Sequence, residues 1–279
     1  MLNKYTTIYY AATVTEVQMI LRNITGVTLA AGCTEIARRQ TGRKLQLPSN
    51  VLSLARIPDL CTVSKTERYI EFGPSVTLET ILHLGTKNIP EVLYEAIQGI
   101  ANPAVRAVAT LGGNIAAKGL RMTTFAPLLA LDARLEIKTP LESVWIPLSR
   151  YYSNTGKESS GIPEFISKIR IPTESWDISL FRRLGSPRII TNGTGAFVFL
   201  VKVQKNILVD IRIAYAGKFF LRKREFENLV IGRSLPLSLK DIPILMEKAD
   251  LFFDKIFLPP SYERACVLNF MEEGLRMLL

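Results

Sequence analysis

Histidine occurs once in this chain of 279 residues, at His83, and cysteine three times, at Cys33, Cys61 and Cys266. A single imidazole leaves little for histidine-based acid–base or nucleophilic machinery. No Asp or Ser stands in a motif that would make His83 a triad member, and its expected role is that of a helix-end histidine. Three cysteines far apart in sequence leave one over from any pairing, and no two have metal-ligand spacing. That excludes a disulfide framework and speaks against a zinc, haem or iron–sulfur site. No catalytic side chain and no metal ligand is therefore assigned. There is no G-x-x-x-x-G-K-[ST] and no G-x-G-x-x-G, so a P-loop and a Rossmann fingerprint are both absent. If the chain takes part in catalysis, an organic cofactor has to supply the chemistry. No apolar run reaches the length of a bilayer span. The start, MLNKYTTIYYAATVTEV, has no apolar h-region and no small-residue cleavage site. A cytoplasmic chain without membrane contact is expected.

What is present is ordinary for a globular protein: 48% hydrophobic and 22% charged residues. The length predicts two or three domains. The net charge of +10, from 35 Lys and Arg against 25 Asp and Glu, invites a nucleic-acid reading. The basic residues are scattered, however, over Arg38-Arg39, Arg43-Lys44, Arg182-Arg183 and Lys218 to Arg224. No nucleic-acid partner is expected. Such faces equally suit an acidic protein partner or an anionic cofactor.

Periodicity predicts a short helix over 15–21 with Thr13 or Thr15 as its cap, and strands at 27–32, 50–54 and 68–76. Helices follow at 77–85, closed by Gly85, and at 90–100, opened by Pro90. The stretch 123–139 reads as a helix passing into a strand, 154–163 as the most linker-like segment, and 164–172 as a strand. Two β-rich runs within 194–217 are separated by QKN, a hairpin signal. Helices end the chain at 224–232, 237–253 and 261–279. The class is α+β: an α/β portion to about residue 170, then a sheet-plus-helix portion.

Two stretches of small residues stand out. LAAGCTEI (29–36) is a strand ending in Ala31-Gly32-Cys33-Thr34, and TLGGNI (110–115) is a second turn of the same character. Small side chains let consecutive backbone N–H groups converge on one anion. Thr34, Thr110 and Asn114 add side-chain donors. Facing one another, two such turns would hold a pyrophosphate. Each taken alone reads rather as a plain turn or tight packing.

The pair, with its surroundings, resembles the FAD-binding subunit or domain of the molybdenum hydroxylase family, which includes the xanthine dehydrogenase and carbon monoxide dehydrogenase flavoproteins. The family carries A-G-G-T-[DE]-[LI] near the amino terminus and T-[IL]-G-G-N-I about eighty residues on; here these are AAGCTEI and ATLGGNIA. IANPAVRAVATLGGNIA, PLLALDARLEI, EFISKIRIP with SLFRRLG, IRIAYAGKFFLRKREFENLVIG and SYERACVLNFM continue the likeness, in order, over nearly the whole chain. The resemblance implies an FAD-binding α/β domain of the PCMH type in two parts (about 1–55 and 56–170), followed by a carboxy-terminal antiparallel sheet-plus-helices domain (171–279). It implies bound FAD, with Leu29, Ala30, Ala31, Gly32, Cys33, Thr34, Glu35 and Ile36 of the first turn and Thr110, Gly113 and Asn114 of the second at the cofactor. Ile166 falls where the family has an apolar residue against the flavin, and Arg182 where it often has a lysine. Cys33 replaces the family's second glycine, and Thr123 an aspartate suited to a ribose hydroxyl, with Arg121 nearby adding charge. The implied role is electron transfer within an oxidoreductase complex. A molybdenum-containing large subunit would oxidise substrate, a two-iron two-sulfur small subunit would relay electrons, and FAD would pass them to NAD or another acceptor. A cofactor-less scaffold of the same complex is the alternative that Cys33 and Thr123 favour.

Overall fold

A computed structural model of the chain describes residues 5–40, 46–117, 122–155, 163–186, 189–254 and 261–279. Strand β1 (Thr7–Tyr10) leads to helix α1 (Val14–Asn23), whose cap is Thr13, its hydroxyl accepting from the Glu16 N–H at 3.1 Å. Strand β2 (Val27–Ala30) turns into the short helix α2 (Thr34–Arg38), followed by β3 (Asn50–Ser53), β4 (Val63–Lys65) and β5 (Tyr69–Phe72). Next come α3 (Leu78–His83), α4 (Glu91–Gln98), α5 (Pro103–Arg106), α6 (Leu111–Ala116) and α7 (Phe125–Ala130). Then follow β6 (Arg134–Lys138), β7 (Ser143–Pro147), α8 (Leu148–Thr155), β8 (Phe165–Pro172) and β9 (Ile178–Leu184). The chain closes with β10 (Gly195–Gln204), β11 (Ile207–Ala216), β12 (Phe220–Leu221), α9 (Arg224–Val230), α10 (Asp241–Asp254) and α11 (Tyr262–Arg276).

The predicted elements are found with three corrections. The strand expected over 68–76 stops at Phe72. A Cβ on Gly73 would strike the backbone of Leu60, and Pro74 has no N–H for a ladder. The stretch 110–115 is not a free turn but the start of α6, capped by Thr110. SLFRRLG contains a strand, β9, paired along its length with β10. Most of the linker-like segment, and Arg43, Lys44 and Arg121, lie outside the described residues.

The fold is α+β, and the chain divides into two compact units. The first comprises Met1–Ile89, Ala101–Ala117 and Asp132–Thr173. It holds a three-stranded parallel sheet in the order β1-β3-β2 and a five-stranded antiparallel sheet in the order β4-β5-β8-β6-β7. Val17 and Leu21 of α1 pack with Leu52, Leu54, Ile57 and Leu60. In the larger sheet, Ile70, Phe72, Leu135, Ile169 and Ile171 are buried. The alternate positions carry Arg170, whose guanidinium lies 4.3 Å from the Tyr69 ring centre and 4.1 Å from that of Trp145.

The second unit comprises Pro90–Ile100, Lys118–Leu131 and Glu174–Leu279. Its antiparallel sheet runs β12-β11-β10-β9. The β10–β11 hairpin turns at Lys205 and Asn206, both with positive φ (50° and 59°), the geometry whose twist matches its flanking strands. Phe197, Phe199, Ile211 and Ile213 form a core with Val267, Met271 and Leu275 of α11. Helix α7, buried along its whole length, packs on β10 and β11. Its last carbonyls accept from Arg222 (Leu129 O, 3.0 Å) and Arg212 (Ala130 O, 3.4 Å), cations placed where a helix carries negative charge.

Candidate cofactor site

The β2–α2 turn is built so that its backbone donors stay unbonded. Ala30 ends a parallel strand, Gly32 follows, and Cys33 is the residue before α2, with no side-chain cap for the helix. Among the described residues, the N–H groups of Gly32, Cys33, Thr34, Glu35 and Ile36 have no acceptor. A helix start leaves such donors to a side chain, water or a ligand. Cys33 takes φ 56° and ψ 4°, the left-handed conformation in which glycine is at ease. The thiol is exposed, with Sγ 3.5 Å from the Ala31 carbonyl. The turn thus takes a glycine-like shape with a cysteine in it. A hollow of about 230 Å³ opens beside it, with Cys33, Ile36, Tyr10, Val51 and Ser53 on its wall. Glu35 turns away to Arg38 and Arg39, at 2.7 and 2.6 Å. Burial pushes its carboxyl up, but those two guanidinium groups outweigh burial and hold it below the usual glutamate range.

The second small-residue stretch lies against the first. A Cβ on Gly32 would run into the Val108 carbonyl and stand 3.2 Å from the Ala109 Cα, so only glycine lets the two backbones approach so closely. Its amides, however, are already bonded. Leu111 N–H reaches Val76 O (3.0 Å), Gly112 N–H reaches Pro74 O (2.9 Å), and Asn114 N–H reaches Thr110 O (2.9 Å). The Gly113 N–H is capped by the Thr110 hydroxyl at 3.1 Å. The expectation that both turns offer converging N–H groups is therefore corrected for the second: a helix cap and the strap Gly73–Leu78 use them. Gly112 is glycine for packing, since a Cβ there would lie 2.5 to 2.8 Å from Pro74. Gly113 meets only Thr110 Oγ1, at 3.0 Å, and its outer face is open. The Thr110 hydroxyl keeps its own proton to donate. The strap was missed in the sequence; its one signal was the Gly73-Pro74 pair.

In the same unit, Ile166 is a buried residue of β8, paired in register with Ile137. In the second unit, Thr123 is buried just before α7, where its hydroxyl accepts from Arg183. Arg182 of β9 forms a two-pronged ion pair with Glu273 of α11, Nε to Oε2 being 3.0 Å. His83 ends α3, Nδ1 being 2.8 Å from the Glu79 carbonyl. No cluster of three His, Cys, Asp or Glu able to hold a metal ion occurs among the described residues, and no helix of theirs is long and apolar enough to cross a membrane.

An FAD diphosphate is a doubly charged anion that needs several donors and close backbone approach. The five unbonded amides of 32–36, the absence of a side chain at Gly32 and the adjoining hollow fit that demand. Residues 3–174 match the family described as FAD binding domain in molybdopterin dehydrogenase. The nicotine 6-hydroxylase medium subunit of Paenarthrobacter nicotinovorans is 26% identical over 178 residues, 62% of this chain and 61% of that protein. The 6-hydroxypseudooxynicotine dehydrogenase complex subunit alpha of the same organism is 26% identical over 204 residues, 69% of this chain and 66% of that protein. The match thus spans under two thirds of each relative's length. A carbon monoxide dehydrogenase structure from Hydrogenophaga pseudoflava superposes with a TM-score of 0.81 at 18% identity, covering 100% of this chain and 98% of that one. At that identity it speaks for the fold alone.

Proposed function

Because the chain belongs to the family of FAD-binding domains of molybdopterin dehydrogenases, we propose that it is the FAD-carrying electron-transfer subunit of a multi-subunit, molybdenum-dependent hydroxylase or dehydrogenase in the cytoplasm. Residues 1–170 form its FAD-binding portion and 171–279 its carboxy-terminal flavoprotein portion. The observation that carries this reading is the row of unbonded N–H groups from Gly32 to Ile36, held against Val108 and Ala109.

In this reading the amides of 32–36 bind the diphosphate, with Leu29, Ala30 and Ala31 setting the direction of the turn. The Thr110 hydroxyl, the open face of Gly113 and Asn114 supply the neighbouring surface. Thr123, Ile166 and Arg182 contribute positioning contacts to the rest of the cofactor. FAD, when bound, accepts electrons singly or in pairs. The side chains bind, orient and exclude water, and none acts as acid or base. Electrons come from a two-iron two-sulfur subunit, which receives them from a molybdenum-containing subunit, and leave to NAD or another acceptor. Basic surface residues favour an acidic iron–sulfur partner, and that association weakens as salt rises.

The test is the visible spectrum of the purified chain, before and after incubation with FAD. A yellow protein, or a colourless one that takes up stoichiometric FAD, supports the reading. A colourless protein that cannot be reconstituted supports the scaffold alternative instead.

A further inference from the structure

We propose that Arg183, together with Thr123, forms a binding site for a phosphate group. Among the described residues of the second unit, the other buried or half-buried arginines pair with carboxylates. Arg182 meets Glu273, Arg212 meets Asp210 and Glu174, Arg222 meets Glu227, and Arg264 meets Asp250. Arg183 is different. Among the described residues it has no carboxylate partner: Nη1 donates to the Thr123 hydroxyl and Nη2 to the Ser186 carbonyl at 3.1 Å, while the buried Nε has no acceptor. The sequence offers it none nearby, because neither 116–131 nor 178–209 contains an Asp or Glu.

A buried cation without a counter-charge is unfavourable, and burial lowers the Arg183 pKa from its ordinary value. Guanidinium nevertheless stays charged at neutral pH. The ligand chemistry follows from the donor set. Arg183 only donates, and Thr123, having accepted from Arg183, keeps its hydroxyl proton to donate. A group made only of acceptors suits such a pair, and a planar guanidinium fork matches phosphate oxygens. Strand alternation puts Arg183 and Arg182 on opposite faces of the sheet, so the Arg182–Glu273 pair does not neutralise it. The phosphate belongs to a nucleotide separate from the flavin, whose own diphosphate is assigned to the amides of 32–36. The inference goes beyond the flavin reading, because it requires a phosphate and not a flavin.

The experiment uses the full chain, flavin-free and FAD-loaded, as wild type, Arg183→Met and Arg183→Lys, with calorimetric titration of inorganic pyrophosphate and of ADP. The flavin-free wild type is expected to bind pyrophosphate about tenfold or more tightly than Arg183→Met, with Arg183→Lys between them. Arg183→Met without ligand should melt close to wild type, since the two hydrogen bonds it loses are offset by removal of an uncompensated charge. If FAD loading abolishes the Arg183-dependent binding, the assignment to a separate nucleotide is overturned. If the loaded chain still binds ADP in an Arg183-dependent way, the phosphate belongs to a second nucleotide. Pyrophosphate and ADP affinities equal in wild type and Arg183→Met, in both forms, would overturn the proposal. Failure to take up FAD would count against the flavin reading alone, because the pyrophosphate arm needs no flavin.

Discussion

The β2–α2 turn and the Thr110–Asn114 segment share a composition of Gly, Ala and Thr, lie within one unit and touch at Gly32, yet they treat their backbone in opposite ways. The first has a strand behind it and an uncapped helix start ahead, with Cys33 in a left-handed conformation, and its donors remain unbonded. The second begins with a threonine that caps α6 and lies under the Gly73–Leu78 strap, whose carbonyls take its donors. A composition suited to a nest becomes one only where nothing else claims the N–H groups. The first turn keeps its donors free, and the second is the wall it is pressed against.

The strongest way to break this pairing is Gly32→Ala. The new methyl must displace the Val108 carbonyl, so we expect a loss of about 3 kcal/mol in the stability of the first unit and loss of bound FAD. Urea unfolding and flavin absorbance per chain measure both. Gly112→Ala presses on Pro74 instead and should cost about 2 kcal/mol. Molecules that still fold should keep FAD affinity close to wild type, because no donor of the first turn is disturbed. Equal FAD loss in the two variants at matched stability would erase the distinction between the donor turn and its wall.

Cys33 sharpens the comparison more gently. Cys33→Val puts a β-branched residue at positive φ and should destabilise by about 2 kcal/mol, whereas Cys33→Gly should leave stability within about 0.5 kcal/mol, relief of strain being offset by the entropy of the unfolded chain. Thermal melts with and without FAD distinguish them. The smallest effect expected is a pH dependence. Glu35 is held below its ordinary pKa in the folded chain, so its contribution is present above the ordinary glutamate value and is lost as pH falls through the lower folded value. Melting curves from neutral to acid pH should show a loss in wild type that is smaller in Glu35→Gln. The second segment, with no titratable residue between Thr110 and Asn114, contributes no such dependence.

Much of the fold was legible because local signals agreed with it. Thr13 and Thr77 cap their helices, Gly85 closes α3, and Lys205-Asn206 makes the hairpin turn. Strands β1, β4, β7 and β12 were not anticipated. They have two to five residues each, too few to show a periodicity of their own; β4, β7 and β12 pair with the adjacent strand across a short turn, and β1 pairs with the distant β3. At the site, Gly32 and Cys33 were recognised from motif likeness, while the strap and Arg183 were not. Neither belongs to a local pattern: the strap matters through carbonyls that any residue has, and Arg183 through the lack of a carboxylate partner among the described residues.

By itself the amino-acid order determined the α+β class, the helix caps, the hairpin and the two small-residue stretches, since each depends on residues close together in the chain. Only the tertiary structure decided which of the two stretches keeps its donors, that Gly32 is needed for contact with Val108 whereas Gly112 is needed for contact with Pro74, and that Arg183 has no carboxylate partner among the described residues. Whether a hydrogen-bond donor or a charge is already satisfied depends on segments tens of residues away, and folding alone brings those together.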